Sequence, residues 1–169
     1  MSSSHPRVVL VGPPASGKTK IGKVLSKRLN EPFVDTDTVL KTRYGPIPAI
    51  FADQGEYWFR AREAEVVAEF LDAPGVLSLG GGAVTTAGTR EALADHTVVL
   101  LEISAEAVAP RLHNDKRPLL SGGVAQWEEL VAGRKGWYDE VATWRIDVSH
   151  RPIDEVAEEI AEYLEGAND

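Results

Sequence analysis

Residues 12–19 read Gly-Pro-Pro-Ala-Ser-Gly-Lys-Thr, and no other stretch constrains the fold of this chain as much. They follow an apolar run, Val8-Val9-Leu10-Val11, and lead into an amphipathic pattern that starts near Lys18. Strand, glycine-bounded loop and helix in that order, at the spacing G-x-x-x-x-G-K-[ST], form a P-loop. Successive backbone N–H groups of the loop and the first helical turn converge on one point, where the helix dipole adds to the positive potential. Gly17 has no Cβ, so the backbone can wrap closely round a phosphate. Lys18 brings a point charge to the β- and γ-phosphates. Thr19 offers a hydroxyl to Mg²⁺, a cation that takes few protein ligands beside phosphate and water. Pro14, Ala15, Ser16 and Gly17 complete the expected nucleotide-binding loop.

The rest of the chain alternates apolar runs with helical patterns. Strands are expected at 7–11, 33–35, 76–79, 97–102 and 143–148. Helices are expected at 18–29, around Val39 and Leu40, at 54–71, 87–94, 104–112, 124–141 and from Pro152 onward. Asn30 is a C-terminal cap candidate, and Asp53-x-x-Glu56 reads as a capping box opening the helix at 54. In the helix at 124–141, Trp127, Leu130, Val131 and Tyr138 are spaced for one face. The tryptophans read as packing residues and the four histidines show no ligand spacing. Five strands separated by helices imply a parallel sheet covered on both faces, in a single domain over 1–169. Residues 113–123 carry turn formers and no helical stripe, and read as a mobile lid.

Charge narrows the partners. A net charge of −8 disfavours nucleic acid and anionic membrane surfaces, and no apolar run reaches the roughly 20 residues of a bilayer span. With no cysteine, disulfides and thiolate sites are excluded. A cytoplasmic setting is expected. A nucleotide must therefore be met by a few focused cations inside an acidic protein.

Ligands of such sheets bind beyond the carboxyl ends of the strands, where every unusual polar cluster of this chain falls. Asp35-Thr36-Asp37 follows the second strand. In extended chain both carboxylates face the loop mouth, one for Mg²⁺ and one for an attacking hydroxyl; alternatively an aspartate caps the next helix. Arg60 and Glu63 share a helix face, either as a guanidinium clamp for a carboxylate or as an exposed ion pair. Gly80-Gly81-Gly82 either admits a ligand to the backbone or makes a tight turn. Arg117 is a lid cation or a solvated charge, Arg134 and Lys135 suit a solvated face, and Arg111 and Arg151 can stack on a base.

Taken together, G-P-P-A-S-G-K-T, D-T-D, I-F-A-D-Q-G-E-x-x-F-R-x-x-E, L-S-L-G-G-G-A-V and R-P-L-L resemble shikimate kinase, in order and spacing, over residues 7–151. That resemblance implies a nucleoside-monophosphate-kinase-like P-loop fold, a three-layer α/β/α sandwich on a five-stranded parallel sheet. It implies transfer of the γ-phosphoryl group of ATP to the 3-hydroxyl of shikimate, with Mg²⁺, in the route to aromatic amino acids. By the same resemblance Lys18, Asp37 and Arg117 are catalytic. Asp37, Phe51, Phe59, Arg60, Gly81, Gly82 and Arg134 contact shikimate, with a substrate-binding helical segment at 36–62. Thr19 and Asp35 serve the metal, and Arg111, Arg117 and Arg151 the nucleotide. A monomer is expected. Two features depart from the family pattern. Ala15 replaces a glycine, which costs of order 1 kcal/mol if φ is positive there. Gly136-Trp137 follows Arg134 where proline and leucine are usual. Other readings are a kinase for gluconate or for a nucleoside monophosphate, or a P-loop switch; the sequence has no N-K-x-D tetrapeptide for a guanine base.

Overall fold

The structure, a computed structural model, describes residues 4–112 and 123–167. The expected lid lies outside the described residues apart from Gly123, and so does Arg117. Strands β1 (Pro6–Val11), β2 (Phe33–Asp35), β3 (Gly75–Ser78), β4 (Val98–Glu102) and β5 (Trp144–Asp147) form one sheet in the order β2-β3-β1-β4-β5. Every neighbouring pair is parallel. Helices α1 (Lys18–Leu29), α2 (Thr36–Tyr44), α3 (Ile47–Phe70), α4 (Ala87–Ala92), α5 (Ala105–Leu112), α6 (Val124–Val141) and α7 (Ile153–Ala167) supply the crossovers.

Side-chain alternation along the central strands splits the core in two. Val8, Leu10, Val99 and Leu101 pack with Ile21 and Leu25 of α1 and with Val156, Ile160 and Leu164 of α7. Their neighbours Val9, Val11, Val98 and Leu100 pack on the other face with Val67 of α3 and with Tyr138 and Val141 of α6. Both faces of β1 are thus buried, so its sequence is a continuous apolar run rather than an alternating one. A third, smaller cluster joins Leu40 of α2 to Ile50, Phe59 and Val66 of α3. It holds the α2–α3 segment as a unit beside the sheet.

Local signals act as expected at several boundaries. Asn30 closes α1 in the left-handed conformation (φ 56°, ψ 47°), and the Ser104 hydroxyl accepts from the N–H of Ala107 at the start of α5. One boundary is corrected. The helix expected from 54 starts instead at Ile47 and is broken at Gly55 (φ 85°, ψ 167°), so two arms meet at a kink. Asp53 lies inside the first arm, two residues before the break, and is out of position to open the second. Glycine alone takes this φ without a Cβ penalty, and it decides where the second arm begins.

Candidate active site

The loop after β1 is built for an anion. Gly17 stands at the N-cap of α1 with φ 92°, and a Cβ there would meet no protein atom closer than 3.5 Å. The glycine is therefore required by its backbone angle, not by crowding within the chain. Ala15 has φ 67°, so alanine bears the left-handed strain foreseen for it. Lys18 is buried, and its Nζ donates to the carbonyls of Gly12 (2.8 Å) and Pro13 (2.9 Å), which curls the ammonium over the loop. The Oγ of Ser16 is buried with no hydrogen-bond partner among the described residues. An orphaned hydroxyl inside a ring of amides fits a site shaped for phosphate oxygens. Arg111 Nη1 donates to the Ala15 carbonyl (2.9 Å) and pins the loop from outside.

Asp35 both caps and faces the loop. Its Oδ1 accepts from the N–H groups of Asp37 (2.9 Å) and Thr38 (3.4 Å), so the extended-chain geometry expected for Asp35 and Asp37 is not found. The helix begins at Thr36, because the Asp35 carboxylate satisfies its first free amides. The other oxygen, Oδ2, accepts from the Thr19 hydroxyl at 2.6 Å. Asp37, in the first turn, lies against the glycine loop: a Cβ on Gly80 would fall 2.5 Å from its Oδ1. The Thr36 hydroxyl accepts from the Gly80 N–H at 3.1 Å and fixes that approach.

Arg60 and Glu63 are not an exposed pair. Glu63 is only 1% exposed, and Arg60 Nη1 donates to its carboxylate at 2.9 Å. Glu56 accepts from Arg60 Nε at 3.3 Å, and the guanidinium lies 5.3 Å from the Phe59 ring centre and 6.0 Å from that of Phe51. Burial pushes the Glu63 carboxyl up to about 7, with the Arg60 guanidinium opposing that rise. A Cβ on Gly82 would overlap the Arg60 guanidinium, so the third glycine of the run makes room for that side chain.

Arg134 corrects the solvated face expected of it: it is 5% exposed. It lies three and four residues after Val131 and Leu130 and four before Tyr138, on the stripe that α6 buries. The periodicity that picks out those apolar residues includes Arg134, and its charge masked that signal. Glu63 was legible only as a partner of Arg60, since nothing local marks its burial. Lys41, one turn after Asp37, also lines the site and had no sequence signal.

A cavity of about 910 Å³ joins these parts. The loop residues Pro14 to Thr19, together with Asp35, Arg111 and Arg151, line one side. Asp37, Phe51, Phe59, Arg60, Gly81, Gly82 and Arg134 line the other. Arg151 is also held by Glu155 and Glu159 of α7. Among the described residues no cluster of three or more His, Cys, Asp or Glu could hold a metal, and no helix is long and apolar enough to cross a membrane.

A P-loop at the centre of a five-stranded parallel sheet, with an aspartate and a two-arginine pocket across one cavity, defines a P-loop kinase of a small anionic acceptor. The shikimate kinase family profile matches residues 14–165. A shikimate kinase from Mycobacterium avium (strain 104) is 50% identical over 151 residues, 86% of each chain. One from Corynebacterium jeikeium (strain K411) is 43% identical over 95% of this chain and 89% of its own. A solved shikimate kinase from Acinetobacter baumannii in complex with shikimate superposes with a TM-score of 0.91 at 34% identity, covering 98% and 96% of the two chains. The chain belongs to the shikimate kinase family.

Proposed function

We propose that this protein transfers the γ-phosphoryl group of ATP to the 3-hydroxyl of shikimate, giving shikimate 3-phosphate and ADP. The observation that carries the reading is a single cavity in which the Lys18 loop faces a carboxylate clamp, Arg60 and Arg134, across Asp37. The clamp suits the acid group of the acceptor, because guanidinium binds carboxylate in bidentate fashion. Phe51 and Phe59 offer apolar walls to its ring, and the backbone N–H groups of Gly81 and Gly82, whose carbonyls are already bonded within the chain, would meet its hydroxyls.

Phosphoryl transfer needs two anionic partners brought into line and little covalent assistance. The loop amides, Ser16 and Lys18 bind the triphosphate, and Lys18 moves from the loop carbonyls to the β- and γ-oxygens. Asp37 orients the acceptor hydroxyl and takes its proton as the new O–P bond forms and the bond to ADP breaks. Thr19 and Asp35 would hold Mg²⁺, which supplies charge neutralisation on the phosphates when bound. Their hydroxyl–carboxylate pair fits an ion that draws most of its ligands from phosphate and water. Arg117, which lies outside the described residues, would join the cations on the transferred group. Arg111 and Arg151 flank the nucleotide base. The unit proposed is a monomer acting in the cytoplasm.

A coupled assay of ADP release over shikimate, gluconate and AMP tests the reading. ADP release is expected to require shikimate. Release that ignores the acid, or that only gluconate or AMP stimulates, would overturn it.

A further inference from the structure

One helix touches both sides of the cavity at two buried points. The indole N–H of Trp127, a residue only 3% exposed, donates to the Pro14 carbonyl of the P-loop at 2.9 Å. The hydroxyl of Tyr138, equally buried, donates to the Gly81 carbonyl of the glycine loop at 2.6 Å. Trp127 and Tyr138 are eleven residues apart, three turns of α6 and about 16 Å along its axis, so they lie on one face. Arg134 lies between them on that face, one turn before Tyr138, and is itself buried. The circuit closes through the loops themselves. A Cβ on Gly81 would stand only 3.1 Å from Pro14 Cδ and 3.2 Å from Pro14 Cγ and N, so the two loops are in contact through the missing side chain. Neither donor is itself lining the cavity.

From this we infer that Trp127 is a positioning residue: with Tyr138 it makes α6 a rigid brace, so that seating a nucleotide on the P-loop tightens the acid pocket, and the reverse. The argument is one of satisfaction and stiffness. An indole N–H this deeply buried has no water to turn to, so the loop carbonyl cannot shift without leaving a buried donor unpaired. Displacement of Pro14 on phosphate binding is then shared with Gly81 by direct contact and with Arg134 through the helix. Coupling between sites requires a physical element that both ligands bias, and it is reciprocal. The sequence offered Trp127 only as a packing residue. Its apolar bulk does pack, against the cluster around Val108, while its single polar atom reaches the loop.

The inference rests on the proposed function, and the test separates the two. Calorimetry gives the dissociation constant of shikimate alone and with saturating ADP, for the wild-type chain, Trp127→Phe and Tyr138→Phe. Trp127→Phe keeps an aromatic ring and removes the donor. In the wild type, ADP is expected to tighten shikimate roughly fivefold or more. In Trp127→Phe that factor is expected to fall at least threefold, while shikimate alone binds within twofold of wild type. Tyr138→Phe is expected to lose the same coupling, and the double variant no more than either single one, because both breaks lie in one circuit. A packing role alone would lower the melting temperature and leave the ratio unchanged. Intact coupling in Trp127→Phe or in Tyr138→Phe, or no coupling in the wild type, would overturn the brace. A wild-type chain that does not bind shikimate at all would overturn the proposed function and the brace with it.

Discussion

The two sides of the cavity are made in opposite ways. The proposed nucleotide loop is eight contiguous residues whose expected binding groups are mostly backbone amides, aimed by one glycine angle and one helix start. The proposed acid pocket is drawn from four cavity-lining segments far apart in sequence: Asp37, Arg60 with Glu63, Gly80 to Gly82, and Arg134. Its working groups are side-chain charges held away from water. A phosphate site can be local because amides carry their dipoles wherever the chain turns correctly. A buried carboxylate clamp cannot be local, because each guanidinium needs a counter-charge and a dry wall from elsewhere.

Four experiments sharpen or break that contrast. The largest effect is expected where the two sides meet. Asp37→Asn should lower turnover roughly 10³-fold, as loss of a general base does, while the nucleotide dissociation constant stays within about threefold. Turnover near wild type would remove Asp37 from the chemistry. Next, Gly82→Ala places a Cβ on the Arg60 guanidinium. The acid KM should rise roughly 10–100-fold, the size of a lost charged hydrogen bond, with the ATP KM almost unmoved. An acid KM that does not change would show that Arg60 has slack the structure does not suggest.

The third turns on the buried carboxyl of Glu63, held near 7 chiefly by burial. Its folded value lies above its unfolded one, so between about pH 4.5 and 7 the unfolded chain ionises first. The associated stability is present in full below that window and lost as pH rises through it, by about 3 kcal/mol in all. Glu63→Gln should flatten this slope in denaturant titrations across pH. An anionic acid arriving beside Glu63 should raise its value further, so acid binding near pH 7 should take up a proton. Calorimetry in buffers of different ionisation heat detects that uptake, and the variant should lack it. The smallest effect is expected in the loop. Ala15→Gly relieves a positive φ but loosens the unfolded chain, for a net gain of about 0.5 kcal/mol. A shift of the denaturant midpoint the other way would show that Ala15 is not strained.

How much could be read beforehand follows the same division. The loop from Gly12 to Thr19, its flanking strand and helix, and the alternation that makes a parallel sheet were all legible, since each depends on neighbours in sequence. Asp35 was legible as a helix cap, which the structure shows on one oxygen, while its other oxygen accepts from the Thr19 hydroxyl, a bond between residues sixteen apart that no local pattern marked. The start of the second arm of α3 was misread because Asp53 and Glu56 match a capping pattern, while the angle at Gly55 overrides it. Arg134 on residue type alone looked like surface, and only the resemblance to a family placed it in a pocket. Trp127 was read for its ring, and its N–H had no visible acceptor until Pro14 came within reach.

Short-range pattern was therefore enough to determine a phosphate-binding turn on a buried strand, the α/β alternation around it and a chain of net negative charge that must concentrate its cations. Tertiary packing alone decided that Glu63 is buried, that Arg60 and Arg134 share one cavity, and that α6 reaches both loops. The reason is range. Backbone angles and side-chain periodicity are set within a few residues, whereas desolvation of a charge is set by whichever segments fold over it, and those lie tens of residues away.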